Sequence, residues 1–405
     1  MLKDFGILFL EMALFNLSKF KRFNGYNKSL SYSVIILLLF GLLMVFEASS
    51  SYSYLNFGSR YKFFFQQFVW VLLGLLGVRI LYRMEFPSVE KVVKYLWYVS
   101  VSFLAVLAVQ SVLSFVFHTT VQTPFTKITY GAFRWVVINP EPLPSLPVLG
   151  RVSFQPSDLA KLSFVVYFSS ILSRMGERNT RKIAGYFMLT ILVVGLVAIE
   201  PDFGTAFIFL GMSFALYVAA GFPVKYLFAA IPIIVIVGSV FSFSSSYRRE
   251  RILTFLRPEV SNQLEGGYQI TQISIALGSG GLFGLGFGES RQKYAYIPEV
   301  SSDSIFAVIG EEFGFIGTAL FVAVLLYVLW ICLNIASWQR DPLKKLVVVG
   351  IASWIGFQTF VNLFAMVHLI PLTGVTLPFV SYGGSSMIFS LLGMGLIFNA
   401  SKDCR

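Results

Sequence analysis

The chain has 405 residues, 56% of them hydrophobic and 13% charged, with a mean hydropathy of +0.76; this excludes a soluble globular domain. A formal net charge of +11 would suit nucleic acid, but the placement of the charges, taken up below, excludes that partner. Two cysteines, Cys332 in an apolar run and Cys404 at the end, exclude a disulfide framework, and His118 and His368 are too few and too far apart for a His-based metal site.

Apolar runs of roughly 17 residues or more reach the length that carries a helix across a bilayer. In chain order they predict ten spans: about 31–48, 64–81, 95–117, 158–173, 183–199, 203–220, 224–243, 303–336, 345–369 and 379–398. Residues 5–17 (FGILFLEMALFNL) are short for a span and predict an interfacial helix in a cytoplasmic segment 1–30. No small-residue cleavage site follows the first apolar run, so no removable signal peptide is expected. The eighth run is too long to lie wholly in hydrocarbon, so its first turns are expected outside it. The fold class expected is an all-α polytopic membrane protein. A ten-helix domain, 31–400, carries two long ordered extracytoplasmic loops, about 118–157 and 244–302, and ends in a cytoplasmic tail, 401–405. Both loops are rich in aromatics, Pro, Gly and Arg, which favours order.

With the N-terminus inside, the cytoplasmic segments (1–30, 79–94, 174–182, 221–225, 337–345 and 399–405) hold 19 of the 31 Lys and Arg and 7 of the 20 acids. Their net charge is +12 and that of the rest −1. This is the positive-inside bias, so the basic charge reports orientation.

Polar residues at span ends carry the chemistry. Burying a charge in hydrocarbon costs about 2.5–3.5 kcal/mol, so each such residue needs a reason. "QPSDLAK" (155–161) opens the fourth span and puts Asp158 and Lys161 three residues apart on one helix face. "EPDFGT" (200–205) adds Glu200 and Asp202 at the same end, and these groups are expected to face a polar cavity. "YRRERILTFLRPE" (247–259) predicts a short helix on the outer leaflet, with Arg248, Arg249 and Arg251 near lipid phosphates. "GSGGLFGLGFG" (278–288) lacks the ending of a P-loop, and predicts a flexible turn or re-entrant segment. In "IPEVSSDSIFAVIGEEFG" (297–314), Asp303 near the helix start is favoured by the helix dipole, with Ser301 or Ser302 as cap. Glu311 and Glu312 lie about 12–14 Å further along, where only protein partners or water can hold them. A purely capping Asp303 and a purely structural Asp158–Lys161 pair are the plain alternatives.

These motifs resemble, in order and spacing, those of the SEDS family of polytopic cell-wall enzymes, FtsW, RodA and SpoVE. "GAFRWVVI" (131–138) is similar to the family's Gly-Ala-x-Arg-Trp-Ile, and "PLTGVTLPFVSYGGSSM" (371–387) is nearly identical to its pattern. "YQITQISIALGSGGLFGLGFG" (268–288) matches the Gln-Ser-x-x-Ala-x-Gly-Ser-Gly-Gly block. "YRRERILTFLRP" and "GESRQKYAYIPE" look more like the FtsW division branch than the RodA elongation branch.

The resemblance implies a peptidoglycan glycosyltransferase that polymerises lipid II, the undecaprenyl-pyrophosphoryl disaccharide-pentapeptide, at the outer face of the bacterial cytoplasmic membrane. It implies a class B penicillin-binding transpeptidase, with other divisome or elongasome membrane proteins, as partners and the division septum as the place. Asp303 falls on the functional acid, Trp135 on the loop Trp, and Asp158 and Lys161 on the intramembrane pair. Asp303 would act as general base, or as ligand to a divalent cation (Mg or Mn). Arg134, Arg248, Arg249 and Arg251 are candidates for the departing diphosphate. Gln272, Ser279, Glu299, Ser381, Tyr382, Gly383, Gly384 and Ser385 are expected on the substrate side, Glu299 as a supporting residue. Three residues depart from the pattern: Ser302 replaces Thr, Ser304 replaces an aromatic, and Asp158 replaces the longer Glu. The rival readings are a RodA-type elongation polymerase, a lipid II flippase, and a scaffold that only recruits a transpeptidase. The missing inverted symmetry weighs against the flippase.

Overall fold

A computed structural model describes residues 23–117, 122–129, 132–175, 180–226, 255, 265–294 and 297–403. Among them run ten α-helices: α1 (Phe23–Phe57), α2 (Lys62–Arg83), α3 (Phe86–Val116), α4 (Pro156–Ser173), α5 (Thr180–Ile199), α6 (Phe203–Ala219), α7 (Glu265–Gly280), α8 (Ile305–Trp338), α9 (Pro342–Met366) and α10 (Gly384–Ala400). Nine fall on predicted spans. The seventh predicted span, 224–243, lies mostly outside the described residues. So do the expected interfacial helix 5–17 and, but for residue 255, the segment 247–259 with Arg248, Arg249 and Arg251. Among the described residues six helices are long and apolar enough to cross a membrane, and α6 and α10 are shorter apolar helices. The protein is a multi-pass, mainly helical membrane protein.

Local signals set the helix starts. Pro87, Pro156 and Pro342 sit in the first turns of α3, α4 and α9, where no amide donor is needed. Asp202 caps α6 by accepting the Thr205 amide at 3.1 Å, and Asp341 caps α9 by accepting that of Leu343 at 2.9 Å. The core sits around α4, which packs against α3, α9, α10 and α6. Phe164 and Phe168 of α4 stack at 3.9 Å, with Trp97, Tyr186 and Phe209 edge-on around them. Because neighbouring helices rather than lipid surround α4, it can hold charged side chains inside the bundle.

The segment between α3 and α4, expected as the first outer loop, holds a small antiparallel sheet that the apolar pattern did not foretell: β1 (Thr126–Thr129), β2 (Ala132–Val137) and β3 (Ser153–Phe154), in that order. Thr126 pairs with Val136, and Val136 with Phe154. The segment before α8 supplies α7 and residues 281–304, and these reshape α8.

The long eighth run is a broken helix. Gly314 has φ 65° and ψ −167°, a conformation open essentially to glycine alone. The break orphans carbonyls before it and amides after it, which hydrocarbon would not tolerate. The segment after α7 satisfies them. The amides of Leu285 and Gly286 donate to the carbonyls of Glu311 (2.9 Å) and Glu312 (3.1 Å), and those of Phe315 and Ile316 donate to Gly281 (2.9 Å) and Leu282 (3.1 Å). Gly284 lies so close to the break that a β-carbon on it would strike the Glu312 carbonyl. Of the two readings of 278–288, the re-entrant one describes this packing.

Glu311 and Glu312 find their partners here. Glu311 accepts from Ser290 Oγ at 2.5 Å, from the amides of Arg291 (3.1 Å) and Gln292 (3.3 Å), and from Ser279 Oγ at 3.4 Å. Glu312 meets Lys293 at 3.2 Å, and Lys293 also pairs with Glu47 of α1. All three of Lys293, Glu311 and Glu312 are buried. The two acids therefore pin the loop that leads to Asp303.

Candidate functional site

Two networks meet in one turn of α9. In the first, Asp158 Oδ1 lies 2.8 Å from Lys161 Nζ, and Asp158 Oδ2 accepts from Ser385 Oγ at 2.8 Å. Lys161 also donates to Gln358 Oε1 at 2.9 Å, and Trp354 Nε1 donates to the same oxygen at 2.8 Å. That fixes the Gln358 amide, whose Nε2 donates to the Thr376 carbonyl at 2.9 Å. Asp158 and Lys161 are each 3% exposed. The expectation of a polar cavity here is corrected: the pair is enclosed by Ser385, Gln358 and Trp354, because α9 and α10 close over α4. Removing one partner of such a pair costs about 3–5 kcal/mol, so Lys161 is part of what holds the bundle together.

The second network holds Asp303. One turn from Gln358, buried Asn362 donates its Nδ2 to the Asp303 carbonyl at 2.7 Å and to the Val375 carbonyl at 2.8 Å. Asp303 is half-buried, and a β-carbon at Gly374 would stand 3.8 Å from its Oδ2. Ser304 Oγ donates to Asp303 Oδ1 at 3.3 Å. α8 begins at Ile305, so Ser304 and not Ser301 or Ser302 takes the N-cap position, and its side chain makes no capping bond. Ser302 Oγ instead reaches the Glu299 carbonyl (3.1 Å) and Oε2 (2.9 Å), and Glu299 itself has φ 50°. Glu299 thus shapes the turn that presents Asp303.

The segment between α9 and α10 lies against this turn. The Tyr382 amide donates to the Ser301 carbonyl at 2.8 Å, and Tyr382 Oη donates to Gln66 of α2 at 2.7 Å. The Gly383 amide donates to Gln67 at 3.2 Å, and Ser381 Oγ accepts the Leu377 amide at 2.8 Å. Gly384 opens α10 against the Trp70 ring, which leaves no room for a larger residue. Asp303, Glu299, Ser381, Tyr382, Gly383, Gly384 and Ser385 therefore form one assembly, with Asp158 and Lys161 behind it.

Other expected site residues stand apart. Ser279 serves Glu311, and Gln272 is half-buried on α7. Arg134 commits two donors to the carbonyls of Glu200 (3.0 Å) and Pro201, tying the sheet to the α5–α6 turn, so those donors are not offered to a diphosphate. Trp135 is half-buried on β2, and no hydrogen bond joins it to Asp303 among the described residues. No group of three or more His, Cys, Asp or Glu able to hold a metal ion is found among the described residues. Among the described residues, the donor set at Asp303 does not fit a protein-held divalent cation.

Sequence reasoning missed Gln269, Lys293, Gln358 and Asn362. A signal existed for the last two: polar residues four apart inside an apolar helix share a face and mark a functional surface.

The chain resembles known proteins over most of its length. A Geobacter sp. protein named "Probable peptidoglycan glycosyltransferase FtsW" is 31% identical, over 95% of this chain and 99% of its own. Stage V sporulation protein E of Bacillus subtilis is 30% identical, over 92% and 95%. A solved structure described as "Structural coordination of polymerization and crosslinking by a peptidoglycan synthase complex" superimposes with a TM-score of 0.71 and 25% identity, over 93% of this chain and 97% of that one. Residues 28–405 match the family model for the FtsW, RodA and SpoVE cell cycle proteins, and the chain belongs to that family.

Proposed function

We propose that this protein is a peptidoglycan glycosyltransferase that polymerises lipid II at the outer face of the bacterial cytoplasmic membrane, with Asp303 as general base. The observation that carries the reading is Asp303 itself: a half-buried carboxylate on a turn held by Asn362 and packed on the Ser381–Ser385 segment. The 4-hydroxyl of the acceptor sugar attacks the anomeric carbon of the donor chain. Its proton passes to the Asp303 carboxylate, and the bond to the polyprenyl diphosphate breaks with its electrons on the departing phosphate oxygen. A single displacement inverts an α-linked donor to a β-linked product and needs no second, nucleophilic acid.

The closeness to proteins named FtsW favours septal synthesis in cell division. The positive charge of the segments at one end favours cytoplasmic termini. The likeness to a synthase complex that couples polymerisation to crosslinking favours a class B penicillin-binding transpeptidase as partner. A flippase would need a polar path, and the Lys161–Asp158 and Lys293–Glu312 pairs inside this bundle are enclosed.

The test uses purified protein with lipid II in detergent, where flipping has no meaning. Wild type is expected to form glycan polymer. Asp303→Asn keeps the size of the side chain and removes the proton acceptor, so polymerisation should fall by about 10²–10⁴-fold with folding and partner binding intact. Normal glycan synthesis by folded Asp303→Asn would remove the base from this mechanism.

A further inference from the structure

Residue 304 is one of the three positions at which this chain departs from the pattern it resembles, with a serine in place of an aromatic. Ser304 is fully buried, so its hydroxyl must find partners inside the protein. It has two. Gln269 of α7 donates its Nε2 to Ser304 Oγ at 3.1 Å, and Ser304 Oγ donates to Asp303 Oδ1 at 3.3 Å. The order of this chain follows from the donor inventory. An amide nitrogen can only donate, so the serine oxygen accepts there; a carboxylate can only accept, so the single hydroxyl proton is directed to Asp303.

We propose that Ser304 and Gln269 are a positioning pair for the Asp303 carboxylate: Gln269 fixes the hydroxyl, and the hydroxyl fixes the rotamer of the acid. The inference rests on Asp303 being the base of the reaction above. Its physical content is orientation. A base aimed at one hydroxyl loses rate steeply when it turns away, because the geometry of attack is part of the barrier. The backbone of Asp303 is held by Asn362, and the pair acts on its side-chain torsions. It also links α7 to the reacting group, a helix that otherwise serves Glu311 through Ser279.

Gln269→Glu separates positioning from mere packing. It keeps the size and a hydrogen bond to Ser304, but a carboxylate there accepts the serine proton and takes it from Asp303. Steady-state polymerisation of lipid II in detergent should show kcat lowered about 10–100-fold in both Ser304→Ala and Gln269→Glu, the scale of a hydrogen bond to a charged group, with KM for lipid II unchanged. In an Asp303→Asn background, Ser304→Ala should cause no further loss. A wild-type kcat in Gln269→Glu, with Asp303→Asn inactive, overturns the positioning pair and leaves the base assignment standing. An active Asp303→Asn overturns the base assignment itself. Should Ser304→Ala melt early, Gln269→Glu decides the matter alone.

Discussion

Glu200 follows α5, is 1% exposed, and its Oε1 has no hydrogen-bond partner. Burial pushes its carboxyl well above the usual carboxylate range, and neighbouring Asp202 pushes the same way, while Arg134 opposes both. A carboxyl whose folded pKa is raised stabilises the protein most when protonated. That contribution is complete below the unfolded value of about 4.3 and is lost as pH rises through the folded one. Glu200→Gln keeps the shape of the protonated acid and has no proton to lose. It is expected to cost less than about 1 kcal/mol and to flatten the fall of melting temperature with pH above about 4.3. Melting curves in detergent across pH for wild type and variant check this; parallel curves would show that Glu200 ionises in the fold at no cost.

At the scale of elements, most helices were legible and their irregularities were not. A span announces itself by length and hydropathy alone, which is why nine of the ten helices fall on predicted runs. The acid pattern was legible as well: Asp158 and Lys161 are three residues apart, and a buried Lys needs an acid. The break in α8 was hidden because its partners lie outside the local sequence, from Gly281 to Gly286. Lys293 and Glu47 are 246 residues apart. The strands TKIT, AFRWVV and SF carry no strict apolar–polar alternation to mark them. The break yields a prediction. In Gly314→Ala the new methyl would meet the backbone of Phe283 and Gly284 in a conformation closed to alanine. The helix would have to straighten and abandon the amides and carbonyls of 281–286, at a cost of at least about 1–3 kcal/mol. Gly356→Ala on α9 is the control, since its methyl meets only the end of the Leu329 side chain. A sharp drop in melting temperature and faster proteolysis of the 281–294 segment are expected for Gly314→Ala alone; equal melting of the two variants would mean the break is not required.

On the scale of the whole molecule, the question is which flank a partner helix can use. Most helices show lipid-sized side chains outward, but α9 is largely enclosed and exposes little beyond Phe360 and Phe364 near its C-terminal end. Beside it, α8 carries an exposed stripe of Ile316, Leu320, Ala323, Tyr327 and Trp330. Their spacing alternates four and three residues, the seam along which a second long helix packs. Lipid offers no hydrophobic gain for such docking, so close van der Waals fit must carry it, and a stepped row of large and small side chains supplies that fit. The transmembrane helix of a transpeptidase is therefore expected to lie against α8 and the C-terminal end of α9. Photocrosslinkers placed at Leu320, Tyr327 and Phe364 should capture the partner in membranes. Probes at Ile36 and Leu39 on α1 and at Leu72 and Leu76 on α2, equally exposed but on other helices, should not. Crosslinks confined to α1 and α2 would move the partner to that flank, and with it any route by which the partner could act on the Asp303 turn through α8.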